Sequence, residues 1–350
     1  MAGLEVLSDV TSALSTEFDE RVFKQMNRKS VLLSLLTKKP GKGNACAWDV
    51  VFSDASADTY TEGADVTTAT DTDQDLKIPA SISWGWYRSN FGVSGLAKAV
   101  AANSPLSPDY VTDLIAGDLL GSASKLASVI NGKLYDGTGA GHIIGLDSAL
   151  AATGTYANIA KGSYAEWAGN VLANGGISRN LTKDLMDQME STIYTDAGES
   201  PSVIVTTPAI CRKYEQLFDS VTRMALPSGD MSPARANLGM VPDNMTGFSG
   251  YTYKGIPVFR DKDATSGHMY MLNLEYLELC SLPPPMADDT GVASRREELS
   301  DEQGRRVGLE VHYQTLAKTG DSDRFSLVVY PQLKNMKVCA HGLIDDISES

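Results

Sequence analysis

Positive charge is what this chain is short of. Its 350 residues carry 30 Lys and Arg against 44 Asp and Glu, a formal net charge of −14. A surface of that sign repels phosphate, which argues against nucleic acid as the partner of the bulk surface. Long apolar runs are missing as well. No stretch approaches about 18 apolar residues, so no transmembrane helix is expected. The opening MAGLEVLSDVTSALS has no basic flank before an apolar core and does not read as a secretory signal. Without secretion, the sequons at Asn180 and Asn244 carry no meaning. Cysteine is scarce: Cys46, Cys211, Cys280 and Cys339 are too scattered for a zinc site, and reduced thiols are the expected state. His142, His268, His312 and His341 belong to no metal-ligand motif.

Catalytic signatures are equally thin. Gly137-Thr138-Gly139-Ala140-Gly141 is followed by His142-Ile143, where a phosphate-cradling P-loop needs Lys and then Ser or Thr. A dinucleotide fingerprint would need a strand before the glycines, and here a helix precedes them. Asp71-Thr72-Asp73-Gln74-Asp75 opens like an EF-hand, but the sixth position is Leu76 and the twelfth Ile82. A solvated acidic loop is the simpler reading, with loose calcium binding between subunits left open. Gly92-Val93-Ser94-Gly95 places its second glycine one residue too early for a nucleophile elbow. Glu297 and Glu298, beside Arg295 and Arg296, read as a solvated turn. No catalytic, cofactor-binding or metal-binding residue is therefore assigned, and no cofactor is expected.

What is present begins with a long acidic excursion over 45–93. AWDVVF at 47–52 and the run 76–91 read as two strand arms, rich in β-branched and aromatic residues. Between them, 53–75 is polar and has almost nothing to bury, which suits a projecting loop ordered against another surface. Charge is segregated around it. Seven Lys and Arg with no acid lie between Arg21 and Lys42; seven Asp and Glu against the single Lys77 lie between Val51 and Ala80. Two solvated faces explain this, and so does a basic arm meeting an acidic loop on a neighbouring subunit or facing DNA. Phe18, Val22, Phe23, Met26 and the stretch 31–36 add an amphipathic segment suited to docking on a partner.

A long helix follows over 108–134. Ser107 suits the cap, Pro108 the first turn, and Asp109 the positive end of the dipole. Val111, Leu114, Ile115, Leu119, Leu126, Ile130 and Leu134 form one apolar stripe. Asn131-Gly132 and Asp136-Gly137 supply stop signals. Beyond it, helices are expected over 164–172, over 181–194 with Asn180 as cap, and over 208–218. Strands are expected over 201–205, 255–260, 269–273, 277–282, 306–313 and 325–330, with a mobile loop over 227–249.

The order of basic arm, two-armed acidic loop, long helix and the turn Asp136-Gly137-Thr138-Gly139 resembles the major capsid proteins of tailed bacteriophages. Theirs is the Hong Kong 97 type (HK97-like) α+β fold. Gly255-Ile256-Pro257-Val258 matches a strand opening frequent in that family. The resemblance implies an N-terminal arm over 1–44 and an extended loop (E-loop) over 45–93. It implies a peripheral domain over 94–177 with its spine helix at 108–134. An axial domain over 178–306 and return strands of the peripheral domain over 307–350 would complete the chain. It further implies self-assembly into pentamers and hexamers of an icosahedral head that encloses double-stranded DNA, touched non-specifically at most. A portal and a decoration protein are implied partners; with only about 45 residues before the loop, assembly would need a separate scaffolding protein or none, and no membrane is involved. The implied location is the virion, assembled in the bacterial cytoplasm. Some members cross-link a loop lysine to an asparagine, for which Lys77 and Asn335 are the matching types. Two other readings stay open: an encapsulin-like nanocompartment shell, and an α+β enzyme with no readable site.

Overall fold

The computed structural model describes residues 30–52, 77–102, 110–219, 251–283, 295–300, 306–318 and 320–350. The arm before residue 30, the polar stretch 53–76, the expected cap at Ser107 with Pro108 and Asp109, and the loop expected at 227–249 lie outside these residues. Helix α1 (Val31–Leu35) leads into β1 (Thr37–Pro40), β2 (Ala45–Val51) and β3 (Lys77–Ser83). Strand β4 (Tyr87–Ser94) runs into α2 (Gly95–Ala102) and the long α3 (Tyr110–Asp136). Helix α4 (Leu146–Leu150), β5 (Thr155–Tyr156), β6 (Ile159–Ala160) and β7 (Asn170–Leu172) precede α5 (Lys183–Ala197). Then come β8 (Val203–Thr206), α6 (Pro208–Asp219), β9 (Tyr251–Tyr253), β10 (Ile256–Arg260), β11 (Met269–Leu272) and β12 (Leu277–Ser281). The chain closes through β13 (Arg295–Ser300), β14 (Arg306–Thr315), β15 (Ser322–Val329), β16 (Pro331–Asn335) and β17 (Gly342–Ile344).

Among the described residues the largest sheet has six strands in the order β7-β17-β11-β8-β10-β9. Its central strands read VIVT and MYML and are buried at every position. Unbroken apolar runs of this kind belong where both faces of a sheet are covered. Alternation then sends successive residues into two different cores. Val203, Val205, Tyr270 and Leu272 point into the main cluster with α3. Ile204, Met269 and Met271 point the other way, onto Met186, Met189 and Ile193 of α5 and Ile210 and Tyr214 of α6.

Helix α3, 27 residues and so about 40 Å long, buries Ala123, Leu126, Ala127, Ile130 and Leu134 at helical spacing. It passes through Asn131-Gly132, read from sequence as a stop, and ends at Asp136. Gly137 is the true terminus: a Cβ there would lie 2.1 Å from the Ile143 carbonyl oxygen. Sheet β13-β14-β15-β4 covers a further side, with β4 antiparallel to β15 from Tyr87↔Val329 to Ser94↔Ser322. The third sheet, β1-β12-β16, brings the N-terminal part of the chain beside its C-terminal part.

Several expectations are corrected. The extended run 76–91 is two strands, because Gly85 is wedged where a Cβ would meet the Ile143 nitrogen and the Pro331 oxygen at 3.0 Å each. Strand β3 therefore stays with β2, while β4 leaves for another sheet. The stretch 164–172 is not a helix but a turn at Ala165–Trp167 followed by β7. Helix α5 is capped by Thr182, whose hydroxyl accepts from the Leu185 N–H at 3.3 Å, and not by Asn180. The supposed turn around Glu297 is strand β13, paired to β14 from Arg295↔Tyr313. Strands β7 and β17, from the stretches 94–177 and 307–350, share one six-stranded sheet with β8, β9, β10 and β11 of 178–306, joined through β17 and β11. Finally, Leu32, Leu33, Leu35 and Leu36 are buried in the main core of their own chain instead of awaiting a partner.

Candidate assembly surface and the junctions behind it

Strands β2 and β3 pair from Ala45↔Ser83 to Val51↔Lys77. Their side chains alternate between two environments. Cys46 and Val50 on β2, and Ala80 and Ile82 on β3, are buried, while Ala47, Asp49, Val51, Lys77 and Pro79 are exposed. The buried face is anchored on the segment around β5 and β6. Phe52 stacks on Tyr164 at 4.2 Å between centroids and meets Trp167 edge-on at 5.6 Å. The Ser81 N–H donates to the Ala157 oxygen at 3.1 Å, and Asn158 Nδ2 donates to Ser81 Oγ at 2.7 Å. Among the described residues nothing covers the other face.

The corner after β3 splits two tryptophans by environment. Trp84 is buried and donates from Nε1 to the Gly43 oxygen at 3.1 Å. Trp86 is 71% exposed although its own N–H is tied to the Gly141 oxygen at 2.8 Å. Val51 is 47% exposed. A large ring held in place by its backbone yet left in water is the kind of residue that anchors protein–protein contacts.

Behind this surface two polar junctions hold the spine. The first centres on Asp261, fully buried after β10. Its Oδ2 accepts from Leu32 N at 3.2 Å, Asn131 Nδ2 at 2.9 Å and Tyr135 Oη at 2.9 Å; Oδ1 accepts from Asp263 N at 3.0 Å. Asn131 Oδ1 accepts in turn from Leu33 N at 3.0 Å. Thus the orphan first-turn N–H groups of α1 find their acceptors on other elements. Burial, and then the Asp261 charge, push the Tyr135 hydroxyl well above its ordinary range, so it stays a donor.

The second junction is ionic. His268 Nδ1 lies 3.0 Å from Asp147 Oδ1 of α4, and Nε2 lies 2.8 Å from Asp345 Oδ1 just after β17. Tyr270 and Thr265 also donate to Asp147, at 2.5 and 2.7 Å. Burial alone would lower the histidine, but the two carboxylates outweigh it and raise its pKa. Asp147 shows the converse: burial would raise it, yet the bonds from His268, Tyr270 and Thr265 hold it below 3.8. Neither junction is visible in the sequence, because each gathers segments far apart in the chain, Leu32 with Asp261 and Asp147 with His268 and Asp345.

The remaining candidates take structural places. Lys39, in the basic arm, pairs with buried Glu278 of its own chain, which Lys334 also approaches at 3.6 Å. Lys77 is exposed at the end of β3. Asn335 is completely buried, with Oδ1 accepting from Lys337 N at 3.1 Å and lying 3.2 Å from His341 Nε2. Burial pushes His341 down to about 3, keeping it neutral. An asparagine so enclosed is not presented to an incoming lysine. The glycine-rich turn at 137–141 closes α3 through a Thr138↔Ile144 bridge. Asp71, Asp73 and Asp75 lie outside the described residues. Among the described residues no cluster of His, Cys, Asp or Glu could hold a metal, and no helix is long and apolar enough to cross a membrane.

Superposition on solved capsid structures gives the HK97-like capsid fold. The capsid asymmetric unit of cyanophage A-1(L) superposes with a TM-score of 0.74 over 96% of this chain and 98% of that one, at 22% identity. The capsid of the myovirus XM1 gives 0.51 over 99% and 100%, at 11% identity. The SrpI encapsulin of Synechococcus elongatus gives 0.54 over 99% and 98%, at 12% identity. No curated protein sequence matches the chain. The model of the SU10 major capsid protein family matches residues 7–348, and the chain belongs to that family. It is a structural component of the virion capsid and not an enzyme.

Proposed function

We propose that copies of this chain join as pentamers and hexamers into an icosahedral head around double-stranded DNA, and that the β2–β3 hairpin is the element that reaches a neighbour. The observation carrying this reading is the hairpin's divided surface. One face is fixed to its own subunit by Phe52, Trp48 and Ile82, while Val51 and Pro79 on the strands, and Trp86 beyond the Ser83 end, stay in water. A neighbouring copy covers that strip. Each contact is modest, and closure over many copies multiplies them.

In this reading β2, β3 and the stretch between them are the extended loop. Helix α3 is the spine of the peripheral domain, and the six-stranded sheet is the core of the axial domain. Scaffolding, portal and decoration proteins are the further partners, on the strength of the family resemblance. Removing residues 53–75 is expected to abolish closed particles while leaving a folded subunit, read by sedimentation and circular dichroism. Ordinary particles from that deletion would end the hairpin's role.

A second reading shares the fold: a nanocompartment around protein cargo, favoured only by the encapsulin superposition. The contents of purified particles, nucleic acid or protein, decide between them.

A further inference from the structure

We propose that Cys46 and Cys280 are a poised pair that closes into an intrachain disulfide under oxidising conditions, tying the root of the β2–β3 hairpin to the three-stranded sheet. The two residues are 234 positions apart, 46 to 280, yet they share a small apolar cluster with Trp84, edged by Trp48, Leu282 and Tyr330. Both thiols are reduced, and the Cys46 side chain is hydrogen-bonded to that of Cys280. Cys46 stands opposite Ile82 on β2; Cys280 stands between Lys39 of β1 and Gln332 of β16.

The backbone around the pair is fixed. Gly41 N donates to the Ser281 oxygen at 2.6 Å, and Gly41 lies so close to the Trp84 ring that a Cβ would meet it at 2.1 Å. The connection from β1 to β2 is therefore clamped on the same tryptophan that walls the thiols. Cys211, on α6 beside Glu215, and Cys339, in the turn Val338–Ala340, belong to other parts of the fold.

The charges suit exchange. The Cys46 hydrogen bond lowers the Cys280 thiol; burial and the Glu278 charge oppose it and the Lys334 and Lys39 ammonium groups assist, so the balance favours the thiolate, which is the attacking form. Lys39 is itself half in water, so the pair lies just beneath the surface. Cys280 attacks one sulfur of a small-molecule disulfide such as oxidised glutathione, breaking its S–S bond and expelling one thiol. Cys46, losing its proton, then attacks the Cys280 sulfur and expels the second thiol. Two electrons pass from the two cysteines to the small disulfide, and their two protons leave on the released thiols. Cytosolic thiols are kept reduced, whereas a virion component ends in an oxidising medium. The hairpin root would thus be free during assembly and fastened afterwards; only this timing rests on the virion setting.

The test is direct. Full-length protein, purified with reductant, is treated with oxidised glutathione, alkylated, and mapped by non-reducing mass spectrometry. The expected product joins the Cys46 and Cys280 peptides within one chain, and its melting midpoint rises by several degrees. Cys211→Ser and Cys339→Ser should keep both effects. Cys46→Ser and Cys280→Ser should each lose both; if either folds poorly, the wild-type map decides alone. Cys46 and Cys280 remaining alkylatable, or pairing with other thiols or another chain, would overturn the proposal.

Discussion

The six-stranded sheet and the β2–β3 hairpin are both β-structure, yet they solve burial in opposite ways. Strands β8 and β11 are apolar at nearly every position and divide their side chains between two cores of the same chain. Strands β2 and β3 alternate, burying Cys46, Val50, Ala80 and Ile82 and leaving Val51 and Pro79 outside. A sheet that completes itself stores subunit stability. A hairpin that is half complete leaves a surface that, on our proposal, a neighbour covers.

The comparison can be broken by substitutions of the same kind in the two regions. Met271→Ala, in the core between the sheet and α5, should cost the isolated subunit about 2–5 kcal/mol, read by denaturant unfolding. Next in size is Asp261→Ala, which strands the Leu32 N–H and the Tyr135 hydroxyl, while the Asn131 amide keeps its bond to Asp263 Oδ2 at 2.9 Å. An expected loss of about 2–4 kcal/mol follows from buried donors left unpaired. An unchanged midpoint would mean that the N-terminal segment is not held there.

A smaller effect concerns pH. Because the folded pKa of His268 lies above its ordinary 6.5, its contribution is complete below that pH and fades as pH rises through the raised value. The lowered Asp147 contributes above 3.8 and loses its share as pH falls through the depressed value. Stability from this junction is therefore greatest between those limits. His268→Gln should flatten the alkaline decline of the melting midpoint, and a decline unaltered by that change would remove His268 as its source.

Gly132→Ala should act in the other direction. Nothing lies within 4 Å of the position a Cβ would take, so the substitution should stabilise by about 0.5–1 kcal/mol through helix propensity alone. Smallest for the subunit is Trp86→Ala, expected to change unfolding by under about 0.5 kcal/mol while weakening assembly. A large loss of subunit stability would show that Trp86 belongs to the core side of the comparison.

Much of this was legible in the sequence where periodicity and burial agree. The stripe Leu126, Ile130, Leu134 on α3 and the continuous runs of β8 and β11 announce their environments. Charged β13 was missed because RREELS carries almost no apolar alternation; only its pairing to β14 makes it a strand. Asn131 misled because asparagine ends helices in isolation, whereas here its amide brackets α1 and Asp261 from inside one. The corner at Gly85 depends on Ile143 and Pro331, both distant in sequence. The junctions at Asp261 and His268 and the Cys46–Cys280 pair are products of the fold and leave no local pattern. The first arm of the hairpin was legible in the β-branched and aromatic content of AWDVVF, whereas the acidic stretch 53–75 lies outside the described residues.

Electron microscopy of the purified wild-type chain beside a Val51→Asp, Trp86→Ser double variant tests the account most directly. Wild type should give closed particles or rings of five and six, and the variant should melt with the wild-type subunit yet remain unassembled. Ordinary particles from a variant that has lost both exposed apolar side chains would contradict the claim that the hairpin and the corner after it are where the shell is joined.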